Sequence, residues 1–219
     1  MKRRRVVSAV FLFFLVPALV VFAGGKRERE QEEIKPGKGF VAYFDGDVTV
    51  NGIPAVTGEN VFDGDRISTG TDSFCEIIFP EKNVFRIQQQ SDLVFGSREF
   101  VLDRGSIAVV TDKLKRLAFN NDSLSVRTSS AVAGIRGTVF FIKKEDENNT
   151  YVCICRGKIN TYAWDGKGKS TDESTHHKGI RLTRTEGRVK RSDAGLLYHD
   201  DELMEEVASR IGLEINWRY

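Results

Sequence analysis

The chain has 219 residues, 40% of them hydrophobic and 29% charged, which suits a single domain with a sizeable core. The formal net charge is +2, yet Lys2, Arg3, Arg4 and Arg5 supply more than all of it: without them 29 basic residues face 31 acidic ones, a balance of −2. A near-neutral body leaves no electrostatic footprint for nucleic acid, so no nucleic-acid partner is expected.

The first element is MKRRRVVSAVFLFFLVPALVVFAGG. A basic start precedes an apolar run over residues 6–22, and Val21 and Ala23 take positions −3 and −1 of a cut before Gly24. Residues 1–23 therefore read as a secretory signal peptide. An uncleaved anchor is the alternative, since about 17 apolar residues is close to the shortest bilayer span. In that case the segment is also the chain's membrane contact. No cysteine follows the run, so lipidation there is not expected. Residues 24–37, GKRE-rich and nearly free of apolar side chains, cannot bury a core and read as a solvated linker.

From residue 38 to 195 the pattern becomes one of short alternating runs: DVTV, CEIIF, NVFRI, SDLVF, EFVL, SIAVV, LSV, TVFFI, TYVCI and KINTYAW. Period-two alternation of β-branched and aromatic residues predicts half-buried strands, and so many of them predict an all-β sandwich or a solenoid-like stack. Phe-Asp-Gly-Asp occurs at 44–47 and again at 62–65, and DRGSI, CRGKI and TEGRV echo it. Each is read as a chain reversal at glycine followed by an inward Val or Ile. The end of the chain, 196–219, differs. DDELMEEVASRIG places Leu203, Val207 and Ile211 at helical spacing, with acidic residues at its start and Gly212 at its stop, and predicts an amphipathic helix. LEINWRY after it reads as a last short strand.

AGIRGT, at 133–138, places Gly134 and Gly137 around Ile135-Arg136. A phosphate loop would need a following Lys and a helix, and an RNA-gripping Gly-x-x-Gly would need another fold. Here strands flank the loop on both sides. Arg136 either grips an anionic partner or ties the turn down.

Taken in order, GDRISTGTDSFCEIIF, NVFRIQQQSDLVF, FVLDRGSIAVV and SVRTSSAVAGIRGTVFFI resemble the FecR-type domain family. The opening of the family pattern is matched by Gly64, Asp65, Ile67, Thr69, Gly70 and Ser73. Its close is matched by Val126, Thr128, Ala131, Arg136, Gly137, Thr138, Phe140 and Ile142. The likeness spans about residues 60–142, extending loosely to 40 and 165. It implies an extracytoplasmic β-rich module. Ser129 stands where the family usually has Pro, and residues 80–83 replace its common turn. With five residues before the apolar run, a cytoplasmic sigma-controlling arm is not expected, nor is that role.

Chemistry is sparse in the sequence. Cys75, Cys153 and Cys155 make an odd set. Cys153 and Cys155 share one strand face about 7 Å apart, too far for an unstrained disulfide. Either Cys75 pairs with one of them across adjacent strands, or all three are small buried hydrophobes. The histidines are His176, His177 and His199; the pair lies in the polar stretch KSTDESTHHKG, points opposite ways if extended, lacks a nearby third ligand and reads as part of a surface loop. Asp45/Asp47 and Asp63/Asp65 flank turn glycines and fit no EF-hand series. Asn121-Asp122-Ser123 is a lone glycosylation sequon. No cofactor, metal site or catalytic set is expected. The reading is an exported, non-catalytic binding module with an envelope protein as partner through a strand edge or sheet face. A glycan binder using Tyr151, Tyr162, Trp164 and Trp217 is the alternative.

Overall fold

A computed structural model describes residues 39–79, 82–96, 99–111, 125–135 and 138–217. The proposed signal peptide and linker, the sequon, and Arg136 with Gly137 lie outside the described residues.

Sixteen strands and one helix are seen among the described residues. The strands are β1 (Gly39–Asp45), β2 (Val48–Val50), β3 (Ile53–Pro54), β4 (Asn60–Val61), β5 (Arg66–Thr69), β6 (Phe74–Phe79), β7 (Asn83–Ile87), β8 (Asp92–Val94), β9 (Glu99–Thr111), β10 (Ser125–Arg127), β11 (Ala131–Ile135), β12 (Val139–Lys144), β13 (Asn149–Ala163), β14 (Ser170–Ser174), β15 (Lys178–Thr185) and β16 (Arg188–Asp193). Helix α1 is Asp201–Ser209. The expected all-β class with one C-terminal helix is what the described residues adopt.

The strands form two sheets. One runs β4-β1-β6-β7-β9-β12-β13-β15-β16 and the other β3-β2-β5-β8-β9-β10-β11-β13-β14. All pairs are antiparallel except β9 with β10. The long strands β9 and β13 belong to both sheets. The first part of β9, up to Arg104, pairs with β8 and β10, and from Gly105 it pairs with β7 and β12. β13 pairs with β12 and β15 up to Arg156, then from Gly157 with β11 and β14.

The crossing points correct one sequence expectation. DRGSI and CRGKI are not reversals: Gly105 (φ +81°) and Gly157 (φ +104°) bend a continuous strand from one sheet into the other. Only glycine enters that backbone region without strain, and it serves a corner as well as a turn. TEGRV does reverse the chain, between β15 and β16.

Between the sheets lies one core, with Ile67, Leu93, Leu102, Val126 and Ile159 from one sheet against Ile77, Phe85, Val109, Phe140, Val152 and Ile154 from the other. Alternate residues of the first sheet, Val84, Ala108, Val110, Phe141, Tyr151, Cys153 and Cys155, point outward into a second apolar layer. Met204, Val207 and Ala208 of α1 and the segment around it cover that layer. A sheet buried on both faces explains why CEIIF, TVFFI and TYVCI are nearly continuous in apolar residues. Asp200 caps α1, its carboxylate accepting from Leu203 N at 2.9 Å. The predicted strand after the helix does not form: residues 213–217 are irregular. No described helix is long and apolar enough to cross a membrane.

Candidate functional site

The described motif residues are dispersed and tied mainly to nearby backbone. Gly64 N donates to Phe95 O at 2.7 Å. The Asp65 carboxylate accepts from Phe62 N at 2.6 Å and from Asn51 Nδ2 at 2.8 Å. Thr69 Oγ1 donates to Gln88 O at 2.5 Å and accepts from Ser91 N at 3.0 Å. Gly70 N donates to Asp47 O at 2.8 Å. Buried Thr128 meets Thr150 Oγ1 at 2.6 Å, and Thr138 N donates to Thr111 Oγ1 at 2.8 Å. These groups hold turns and strand ends together and do not converge on a ligand.

The four aromatics proposed as a glycan platform are likewise apart. Tyr151 is fully buried, Trp217 lies against His176 and His177, and of the four only Trp164 is exposed, with Arg184 over its ring.

Convergence occurs where the sequence reading saw none. Cys153, Cys155, His177 and His199 bring two sulfurs and two ring nitrogens within 4.8 Å of one another on the outer face of the first sheet. Three segments supply them. Cys153 and Cys155 lie on β13, His177 ends the β14–β15 connection, and His199 sits just before α1. On β13 a bulge falls at Cys155, because Phe140 pairs with Ile154 and Val139 with Arg156. That bends the strand and draws together two sulfurs that a regular strand would hold about 7 Å apart. Opposite Cys153 on β15 stands Gly179, where an added Cβ would lie 1.7 Å from Gly195 O. The missing side chain lets the 194–199 segment cross the sheet and deliver His199.

Both rings are oriented. His177 Nε2 lies 2.5 Å from Asp201 Oδ1, and His199 Nδ1 lies 2.8 Å from Leu197 O. A carboxylate and a carbonyl only accept, so those nitrogens carry hydrogen. In the neutral rings His177 Nδ1 and His199 Nε2 then turn lone pairs inward, 3.5 Å from Cys153 Sγ and 3.3 Å from Cys155 Sγ. Phe141 stacks on His199 at 4.5 Å and Trp217 on His177 at 5.2 Å. The Cys153 thiol is held well below its ordinary value, first by the hydrogen bond from Cys155 and then by His177 and His199. Burial pushes Cys155 up.

The surface-loop reading of His176 and His177 is overturned for His177, whose side chain is only 7% exposed. His177 takes φ +42°, so the chain is not extended there, and both neighbouring rings reach Asp201. Cys75 cannot bond to Cys153 or Cys155: β7, β9 and β12 lie between their strands. The Cys/His cluster lines neither of two open clefts of about 320 and 300 Å³.

Residues 65–160 match the family model described as FecR protein. This chain carries a FecR domain. Cys153 and Cys155 fall inside the FecR match, whereas His177 and His199 lie beyond it, so the cluster joins the FecR domain to the segment that follows. Two crystal structures of a candidate anti-sigma factor from Parabacteroides distasonis ATCC 8503 are similar at 15% identity and a TM-score of 0.45. The alignment covers 59% of this chain and 60% of that one, so the FecR-bearing chain spans less than two thirds of that protein. Among curated proteins none matches.

Proposed function

We propose that this chain is an exported, non-catalytic FecR-type binding module of the cell envelope that recognises a protein partner in signalling or envelope assembly. The basic and apolar N-terminus acts as the export signal over residues 1–23, and the charged residues 24–37 serve as a solvated linker ahead of the β domain of residues 38–195. The helix and tail of 196–219 cap the outer sheet face.

The observation that carries the reading is the apolar edge at β1, β3 and the loop before β4. Ile53 and Val56 are 69% and 62% exposed there, and Phe40 and Tyr43 on β1 add two exposed rings. β4 pairs with β1 at Gly39 and Phe40, and Gly58 and Glu59 bond the backbone of Val41, which leaves the end of β1, residues 43–45, as an edge able to take a partner strand. The opposite edge, β16, carries Arg188, Lys190 and Arg191, the kind of charge that discourages pairing. The test is photo-crosslinking in cells of the source organism from a reactive residue at Ile53 or Val56, with Lys190 as control. A discrete adduct to one protein from the first two positions, absent from the third, is expected. Adducts only to cell-wall fragments would favour the glycan binder, and equal labelling from all three positions would remove the edge assignment.

A further inference from the structure

We infer that Cys153, Cys155, His177 and His199 form a structural zinc site that clips the C-terminal segment to the FecR domain. A tetrahedral zinc with Zn–S of about 2.3 Å and Zn–N of about 2.0–2.1 Å sets S···N edges near 3.6 Å, S···S near 3.8 Å and N···N near 3.3 Å. Two of the four S···N distances here are 3.5 and 3.3 Å, and no donor pair exceeds 4.8 Å. Gathering the set around an ion therefore asks for shifts of about 1 Å or less.

The surroundings are those of a metal centre as well. Each histidine donates its outer N–H to a fixed acceptor, Asp201 for His177 and Leu197 O for His199, which sets ring orientation and leaves the inner nitrogen free to ligate. His176 Nε2, 3.0 Å from both Asp201 oxygens, steadies that carboxylate in turn. Two thiols with two imidazoles select zinc over hard cations such as calcium or magnesium. Four protein ligands fill the coordination shell and leave no position for water, so the site holds structure and performs no hydrolysis. Because the ligands come from β13, the β14–β15 connection and the segment before α1, binding fastens the helix to the sheet it covers. Metal binding also competes with disulfide formation for the two thiols.

The full chain, purified with reductant and confirmed folded by circular dichroism, is assayed for metal and then loaded with Co²⁺. One zinc per chain is expected, and the cobalt form should show the strong ligand-field bands and thiolate charge transfer of a tetrahedral S₂N₂ centre. Cys153→Ser and Cys155→Ser should each cost one thiolate's charge-transfer intensity. His199→Cys should raise it by one thiolate while still binding metal, a change that a packing role for His199 would not produce. Chelation of the native chain should lower Tm and alter Trp217 fluorescence, since that ring lies on His177. A folded, reduced chain that retains no cobalt, a six-coordinate cobalt spectrum, or a Cys153–Cys155 disulfide in protein isolated without reductant would each overturn the site. No partner enters this assay, so it stands or falls apart from the binding function.

Discussion

Arg86 on β7 grips Glu206 of α1 with both terminal nitrogens, at 2.8 and 2.7 Å, across 120 residues of sequence. The same guanidinium donates through Nε to Glu76 at 2.7 Å, and Glu76 is fully buried. Arg210 Nε approaches the other Glu76 oxygen at 2.8 Å. One cation thus pairs with a carboxylate beneath the helix and ties the helix to the sheet. Arg86→Ala strands the buried Glu76 charge and should cost about 3 kcal/mol, the low end for a broken buried pair because Arg210 remains. Glu206→Gln, at a half-exposed position, should cost about 1 kcal/mol or less. Urea unfolding of the two variants checks the order.

The same contact sets a pH dependence. The Arg86 guanidinium holds the Glu206 carboxyl below its ordinary value of 4.5. A depressed folded value gives stability that is fully present above the unfolded value and is lost as pH falls through the folded one. The unfolding midpoint should therefore fall as the pH drops below 4.5, and less steeply in Glu206→Gln. Arg181 lowers Glu145 in the same way, so some slope should survive in that variant.

Gly105→Ala tests the corner of β9. A Cβ there would lie 2.0 Å from Ser91 Oγ and 2.6 Å from Ser91 Cα, and the backbone sits at φ +81°. Ser91 cannot yield freely, since its hydroxyl accepts from Ser106 N at 2.9 Å. We expect a loss of about 3 kcal/mol, from left-handed strain and overpacking together. Gly52→Ala, at φ +79° with open space around it, should cost only the strain, about 1 kcal/mol. Thermal melts of the pair separate the two contributions.

Tyr151 locks the crossing segment. Its hydroxyl donates to Gly195 O at 2.9 Å and accepts from Leu197 N at 3.0 Å. Tyr151→Phe should cost about 1–2 kcal/mol for the unpaired groups. Gly179→Ala should act more strongly, pushing Gly195 away and opening residues 194–199 to limited proteolysis. Protection equal to that of the parent chain would contradict the close approach.

Thiol chemistry should divide the cysteines. Burial, with Glu76 and Glu59 nearby, pushes Cys75 up to about 12. It should resist alkylation at pH 8 in the folded chain and react only after denaturation, as mass spectrometry of the peptide would show.

The strands and the helix were legible because alternation and helical spacing are local. Two kinds of feature were not. A glycine at positive φ looks alike in sequence whether it turns the chain, as Gly187 does, or bends it, as Gly105 and Gly157 do, and only pairing partners tell them apart. The Cys/His cluster depended on contacts between residues up to 46 positions apart in sequence, on a bulge at Cys155, and on a left-handed His177 that defeats the assumption of an extended pair. The matched FecR positions were legible as a pattern, yet Thr69, Thr128 and Thr138 turn out to secure the frame, which a pattern cannot reveal.

Because β9 and β13 run through both sheets, neither sheet can melt and leave the other intact: each loses two of its central members at once. Cooperativity is thereby built into the covalent chain. Trp164, just past the end of β13, reports on one sheet, and Trp217 on the outer face of the other. Single-tryptophan variants at the two positions should give coincident denaturation curves, one transition shared by two layers that are threaded on the same pair of strands.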